Sequence, residues 1–336
     1  MKTLSKKFLA GTTVAAALLT GSVGTLLAQE KPVIATVVKI SGIPWFDRMN
    51  TGVEAFAEAN ADVDASQSGP ATADSAQQLQ IIQDLVAKGV NALAVVPMDP
   101  AVLEGTFKRA MERGIVVVTH EADNQVNTQA DVEAFDNADY GSALNERLAE
   151  CMNKEGKWTT FVGSLGSRTH MQWVGAGEEN AKKYSGMQLV DPNNESFDDA
   201  NGTYEKAKEI LRKHPDIKGF QTSAGNDVLG VGRAIDEAGL TGKVCLVGTG
   251  LPNPSADLLE SGAITAIGFW DPQKAGMAMN AVAKLLLEKK EVTDGMDLGV
   301  EGYNKVAVKK GAGEGLLVIG NGMVLADKAT YKDFLF

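Results

Sequence analysis

The chain has 336 residues, of which 44% are hydrophobic and 22% charged, an ordinary globular composition. Its 43 acidic residues outnumber 32 basic ones, and the net charge of −11 repels phosphate backbones, which speaks against nucleic acid as a partner. The three histidines, His120, His170 and His214, show no HxxxH spacing and there is no CxxC, so no metal site and no cofactor is expected.

The chain opens on Lys2, Lys6 and Lys7, then an apolar run over 8–19, then small residues up to Ala28. This is the layout of a secretory signal peptide (1–28) cleaved near Ala28, and the apolar run is shorter than the ~20 residues a membrane span needs. The mature protein is expected to be exported to the periplasm as a soluble monomer. Its roughly 300 residues exceed one comfortable core and suggest two domains. Cys151 and Cys245 stand far apart in sequence; two buried free thiols are the preferred reading, and a Cys151–Cys245 disulfide in an oxidising compartment is the alternative.

Short β-branched runs then alternate with helical spacing. A strand over 33–38 precedes helices over 46–59 and 74–88, a strand over 92–96, a helix over 101–113 and a strand over 115–119. The second half repeats the pattern with strands at 159–162, 219–222, 244–247 and 264–267 and helices at 172–183, 203–213, 227–238 and 273–289. Asp74 and Ser75 offer caps, and Gly89, Gly114 and Gly239 offer stops. The alternation implies doubly wound α/β domains with parallel sheets, whose ligands bind beyond the carboxyl ends of the strands.

The residues at those ends are therefore the candidate site. Lys39 follows the first strand, and Trp45 and Phe46 open the next helix with faces suited to a sugar ring. Asp99 reads as a helix cap. His120 and Glu121 follow the 115–119 strand, and the Glu121 carboxylate is a forked acceptor for vicinal hydroxyls. Asp123 reads as a turn or hinge residue. In the second half the tips supply Thr169, His170 and Gln172, then Ser223, Gly225 and Asn226, then Trp270 and Asp271. Asn226 or Asp227 is expected to cap the helix that follows. The Gly163–Gly166 loop lacks the spacing and lysine of a phosphate loop. No nucleophile–base–orienter set appears, so the chain is read as holding a small polyol and not as an enzyme.

Several stretches resemble a known family. They are Ile34-Ala-Thr-Val-Val-Lys39, Pro44-Trp45-Phe46, the run from Gln80 to Val96, Phe107 to Ile115, Ile267-Gly-Phe-Trp-Asp271 and the tail from Gly320 to Phe336. Together they resemble the type I periplasmic sugar-binding proteins of ABC transporters, in particular the subgroup of autoinducer-2 and rhamnose binding proteins. The resemblance implies two doubly wound parallel-sheet domains joined by three crossovers, near 135–137, 270–272 and 300. The first domain would take 29–135 plus 271–300 and the second 136–270 plus 301–336. It also implies ligand contacts at Lys39, Trp45, Phe46, Glu121, Thr169, His170, Ser223 and Gly225, and delivery to a permease in the inner membrane. The chain departs from autoinducer-2 receptors at Thr169, His170, Ser223 and Gly225, and Gly250 stands where ribose-type receptors place an Asp. These departures turn the expectation toward a pentose, deoxyhexose or sugar alcohol. A signal or chemosensory receptor of the same fold is the alternative. A hydrolase using Glu121 and Asp271 is disfavoured because no motif sets their spacing.

Overall fold

The computed structural model describes residues 1–3 and 31–336. The expected leader beyond its first three residues, and its cleavage point near Ala28, lie outside them. In the first half, β1 (Val33–Val37), β3 (Ala92–Val95) and β4 (Val116–His120) are almost wholly buried, as β-branched runs covered on both faces must be. Their side chains alternate. Ala35, Val37, Leu93, Val95 and Val117 form one core with Ile82 of α2 (Ser75–Lys88) and Leu103 and Phe107 of α3 (Pro100–Glu112). Ile34, Ala92, Ala94 and Val118 point the other way, toward Met49 and Phe56 of α1 (Pro44–Ala59) and Met279 of α9 (Pro272–Leu287). The half is completed by β2 (Asp64–Ser68), β5 (Ala130–Glu133), β12 (Ala307–Lys310) and β13 (Leu316–Ile319), in the order β12-β13-β5-β4-β3-β1-β2.

The second half contains α4 (Asn137–Cys151), β6 (Glu155–Val162), α5 (Arg168–Ala181), β7 (Gly186–Leu189), β8 (Asn194–Glu195) and α6 (Ala200–Lys213). It continues with β9 (Ile217–Thr222), α7 (Asp227–Glu237), β10 (Cys245–Thr249), α8 (Pro252–Ser261), β11 (Ala266–Phe269) and β14 (Val324–Asp327). Its sheet runs β14-β11-β10-β9-β6-β7, with the short β8 also paired to β6. Asp74 caps α2 by accepting from the Ala76 and Gln77 N–H groups, and Gly89 ends it in the left-handed region at φ +78°.

The expected doubly wound parallel-sheet architecture holds in both halves, each sheet carrying one antiparallel edge strand, β12 against β13 and β14 against β11. Three expectations are corrected. The third crossover is not near Val300: β13 pairs with β5 in the first sheet, so the chain crosses between Ile319 and Val324. Residues 301–319 thus sit with the first half. Cys151 and Cys245 form a disulfide, because α4 ends beside the start of β10 and brings their Cα atoms to 6.0 Å. Neither Asn226 nor Asp227 caps α7 with its side chain; the Asp227 carboxylate turns back to accept from the Ala224 N–H.

Candidate ligand-binding cleft

Residues just beyond the strand ends of the two halves converge on one cavity of about 20 Å³, room for about one water molecule. Lys39 and Ile43 reach it from beyond β1, Trp45 and Phe46 from the first turn of α1, and Glu121 from beyond β4. His170 and Trp173 come from α5, Asp198 from beyond β8, Ser223 and Gly225 from beyond β9, Thr249 from the end of β10, and Trp270 from beyond β11.

The centre is an ion pair. Lys39 Nζ donates to Glu121 Oε2 at 2.5 Å, and both side chains are nearly out of solvent. Thr169 Oγ1 donates to the same oxygen at 3.3 Å, and Lys39 also approaches Ser167 Oγ at 3.5 Å, so the pair is held from both halves. Glu121 occupies the left-handed region at φ 59°, which is costly for a residue with a long side chain and marks a position fixed by its surroundings. Burial, the largest influence, opposes its ionisation, but Lys39, by charge and hydrogen bond, together with His120 and His170 outweighs it and holds the carboxyl at about 2. His170 accepts from the Gly163 N–H at Nδ1, 3.0 Å, so its proton sits on Nε2; burial first, then Lys39, lowers its pKa to about 3. His120 contacts the Val132 carbonyl through Nδ1, which leaves Nε2 an acceptor without a partner, 3.7 Å from Glu121 Oε1. Burial likewise lowers its pKa.

Aromatic rings form the walls. Trp45 meets Trp270 edge to face at 4.6 Å, and Trp270 continues to Phe135, Tyr140 and Trp173. Gly225 makes this approach feasible, since a Cβ there would lie 3.2 Å from the Trp45 ring. At Gly250 a Cβ would fall 2.5 Å from Val228 Cγ2, so no aspartate fits where ribose-type receptors carry one.

Eight of the residues read from sequence line the cavity: Lys39, Trp45, Phe46, Glu121, His170, Ser223, Gly225 and Trp270. His120 and Thr169 sit immediately behind Glu121. Three others are engaged elsewhere. Gln172 donates to Asp123 Oδ2 at 2.6 Å, Asn226 donates to the Asp198 carbonyl at 2.9 Å, and Asp271 takes both Arg48 nitrogens at 2.9 and 2.8 Å while capping α9. Asp123 is thus a cross-cleft acceptor as well as a turn residue, because Arg168 Nε also donates to it at 2.7 Å. Sequence reasoning missed Asp198, whose preceding strand has two residues and no apolar signal, and Trp173, which reads as core. A larger cavity of about 220 Å³ borders Trp270, Asp271 and Tyr303 at the crossovers, but the charged strand-tip groups do not meet there.

A model of the periplasmic binding protein domain matches residues 34–291. The chain belongs to the periplasmic binding protein family. A relative from Pseudomonas aeruginosa, a D-ribose/D-allose-binding protein, is 30% identical over 70% of this chain and 76% of its own length. Among solved structures, an ABC transporter solute binding protein from Clostridium phytofermentas with bound L-rhamnose has a TM-score of 0.83 at 19% identity, over 91% of this chain and 98% of that one. LsrB from Clostridium saccharobutylicum in complex with AI-2 also gives 0.83, at 20% identity over 90% and 100% of the two chains. At those identities the two structures show the shared fold. The family is one of substrate-binding proteins rather than enzymes. Among the described residues no helix is long and apolar enough to cross a membrane.

Proposed function

We propose that this protein is a periplasmic receptor that captures a small sugar or polyol between its two halves and delivers it to the permease of an ABC importer. The observation that carries the reading is the convergence of a charged donor–acceptor pair, braced from the opposite half, and edge-to-face indoles on one enclosed point. Lys39 supplies ammonium donors, Glu121 a forked acceptor, and Trp45, Trp173 and Trp270 the apolar faces that a pyranose or furanose ring presses against. The Pseudomonas aeruginosa relative supports the ligand class by its name.

Room for about one water is far less than a monosaccharide needs, so the halves part to admit ligand and close over it. The three crossovers between the halves are where such a motion concentrates. A leader cleaved near Ala28 would place this cycle in the periplasm. Binding only to the folded state raises apparent stability. Thermal melts against a library of pentoses, hexoses, deoxyhexoses and sugar alcohols, followed by calorimetry on the hits, test the reading. It expects at least one micromolar or tighter ligand recovered unchanged after long incubation. No stabilising carbohydrate at millimolar concentration, or a chemically altered product, refutes it.

A further inference from the structure

The cleft carries one carboxylate more than its own residues neutralise. Lys39 is the cation of the lining, and Glu121 takes it at 2.5 Å. His170 is locked as a neutral acceptor toward the Gly163 N–H. That leaves Asp198, which lines the same cavity from the second half and forms no ion pair with any described lysine or arginine. Its position is built. Phe197 and Asp198 are consecutive left-handed residues, φ 52° and 56°, so the chain turns Phe197 out to half exposure and Asp198 in to 6%. The Phe197 N–H donates to the Gly163 carbonyl at 2.9 Å, and Asn226 Nδ2 donates to the Asp198 carbonyl at 2.9 Å. A second buried carboxylate, Asp227, stands nearby, and burial first, then Asp198, raises its pKa to about 7.

Resting on the carbohydrate reading, we propose that the ligand carries an ammonium group: an amino sugar or amino polyol whose nitrogen sits against Asp198 while its hydroxyls meet Glu121 and Lys39. A neutral sugar offers Asp198 only hydroxyl hydrogen bonds and no counter-charge in the closed cleft, and a buried charge without a counter-charge is what folded interiors avoid. An ammonium ligand removes that penalty, and the indole faces of Trp45, Trp173 and Trp270 favour a cation as well. The carboxyl's titration agrees: burial pushes Asp198 up to about 6, and Lys39, occupied with Glu121, compensates only in part.

The test is calorimetry at pH 7 on matched pairs, D-ribose, D-allose and D-galactose each against its 2-amino-2-deoxy counterpart, with the wild type and Asp198→Asn. At least one amino member is expected to bind roughly tenfold or more tightly than its parent, the size of one charge-assisted hydrogen bond. Asp198→Asn is expected to bring that ratio close to one. Parents that bind as tightly as every amino partner overturn the inference and leave the carbohydrate reading standing, and so does a preference that survives Asp198→Asn. Binding by neither class overturns this inference, while the carbohydrate reading stands or falls on the wider library of thermal melts. Should Asp198→Asn fail to fold, the wild-type ratios decide alone.

Discussion

Asp123→Ala should shorten the life of the closed, liganded state. Asp123 stands two residues beyond Glu121 in the first half, and its two oxygens take Arg168 Nε at 2.7 Å and Gln172 Nε2 at 2.6 Å from the opening turns of α5 in the second. These contacts span the cleft, so under the proposed closure they would be lost when the halves part. Fully buried, two charge-assisted hydrogen bonds would be worth ~3 kcal/mol or more. The Arg168 side chain is 40% exposed, and screening reduces the Arg168 component toward the ~0.2–1 kcal/mol of a surface pair. About 1–2 kcal/mol remains for the pair, a roughly 5- to 30-fold rise in the ligand dissociation rate. The association rate should change little, since encounter happens with the cleft open. Trp45, Trp173 and Trp270 border the cleft and supply an intrinsic fluorescence signal for stopped-flow measurement of both rates. Arg168→Ala combined with Asp123→Ala should cost less than the sum of the single changes, because each alone already breaks the same contact. A dissociation rate within twofold of wild type, or full additivity, would refute the latch.

Glu121→Gln should weaken binding of the identified ligand by ~10–100-fold, and calorimetry finding unchanged affinity would sink the cleft assignment. Glu121→Ala should also lower unfolding stability by ~3–5 kcal/mol, because it strands the buried Lys39 ammonium; Lys39→Met with Glu121→Leu should recover stability in denaturant titrations but not binding. Burial raises Asp131 to about 7 and holds Glu133 well above the usual carboxylate range, with Asp131 adding to the second. Acids raised in the fold bind protons that the unfolded chain has already lost, so melting temperature should fall from pH 6.5 to 8 and Glu133→Gln should flatten that slope. Removing the disulfide, which closes a sequence separation of 94, should cost roughly 3–5 kcal/mol in urea unfolding, read with Cys151→Ala plus Cys245→Ala.

The buried strands were legible because β-branched runs such as 33–38 and 92–96 leave nothing to solvate, and helix ends were legible where Asp74 or Gly89 supplies a local bond or a left-handed turn. Four strands of the first sheet, β2, β5, β12 and β13, were not expected, and the first two gave no such sign. β2 is Asp-Ala-Ser-Gln-Ser at a sheet edge, half exposed along its length, so no apolar alternation was required of it. β5 is buried throughout yet carries Asp131 and Glu133, which the interior accommodates because burial raises both pKa values and favours their neutral forms. Helix α4 buries Asn137 and Asn145 beside Tyr140, Leu144 and Leu148, so polar residues interrupt its apolar stripe. The third crossover was misplaced for a related reason: β13 declares its sheet only by pairing with β5, which was itself unseen.

At the cleft the same distinction separates reach from partner. A polar residue directly after a buried strand has few places to point, and that rule located Lys39 and Glu121. It does not say what the side chain will meet. Gln172 and Asp271 stand at comparable positions, but Asp123 and Arg48 claim them first, and both of those partners lie more than 40 residues away in sequence. Asp198 is the converse case, a cleft residue whose strand is too short to announce it, aimed inward by two left-handed residues. Glu121 also takes a left-handed backbone, so each half presents its carboxylate through a conformation that side chains normally avoid. The first of these carboxylates has its cation inside the protein and the second does not. That asymmetry makes Asp198, the residue least visible in the sequence, the one that should decide which ligand the cleft selects.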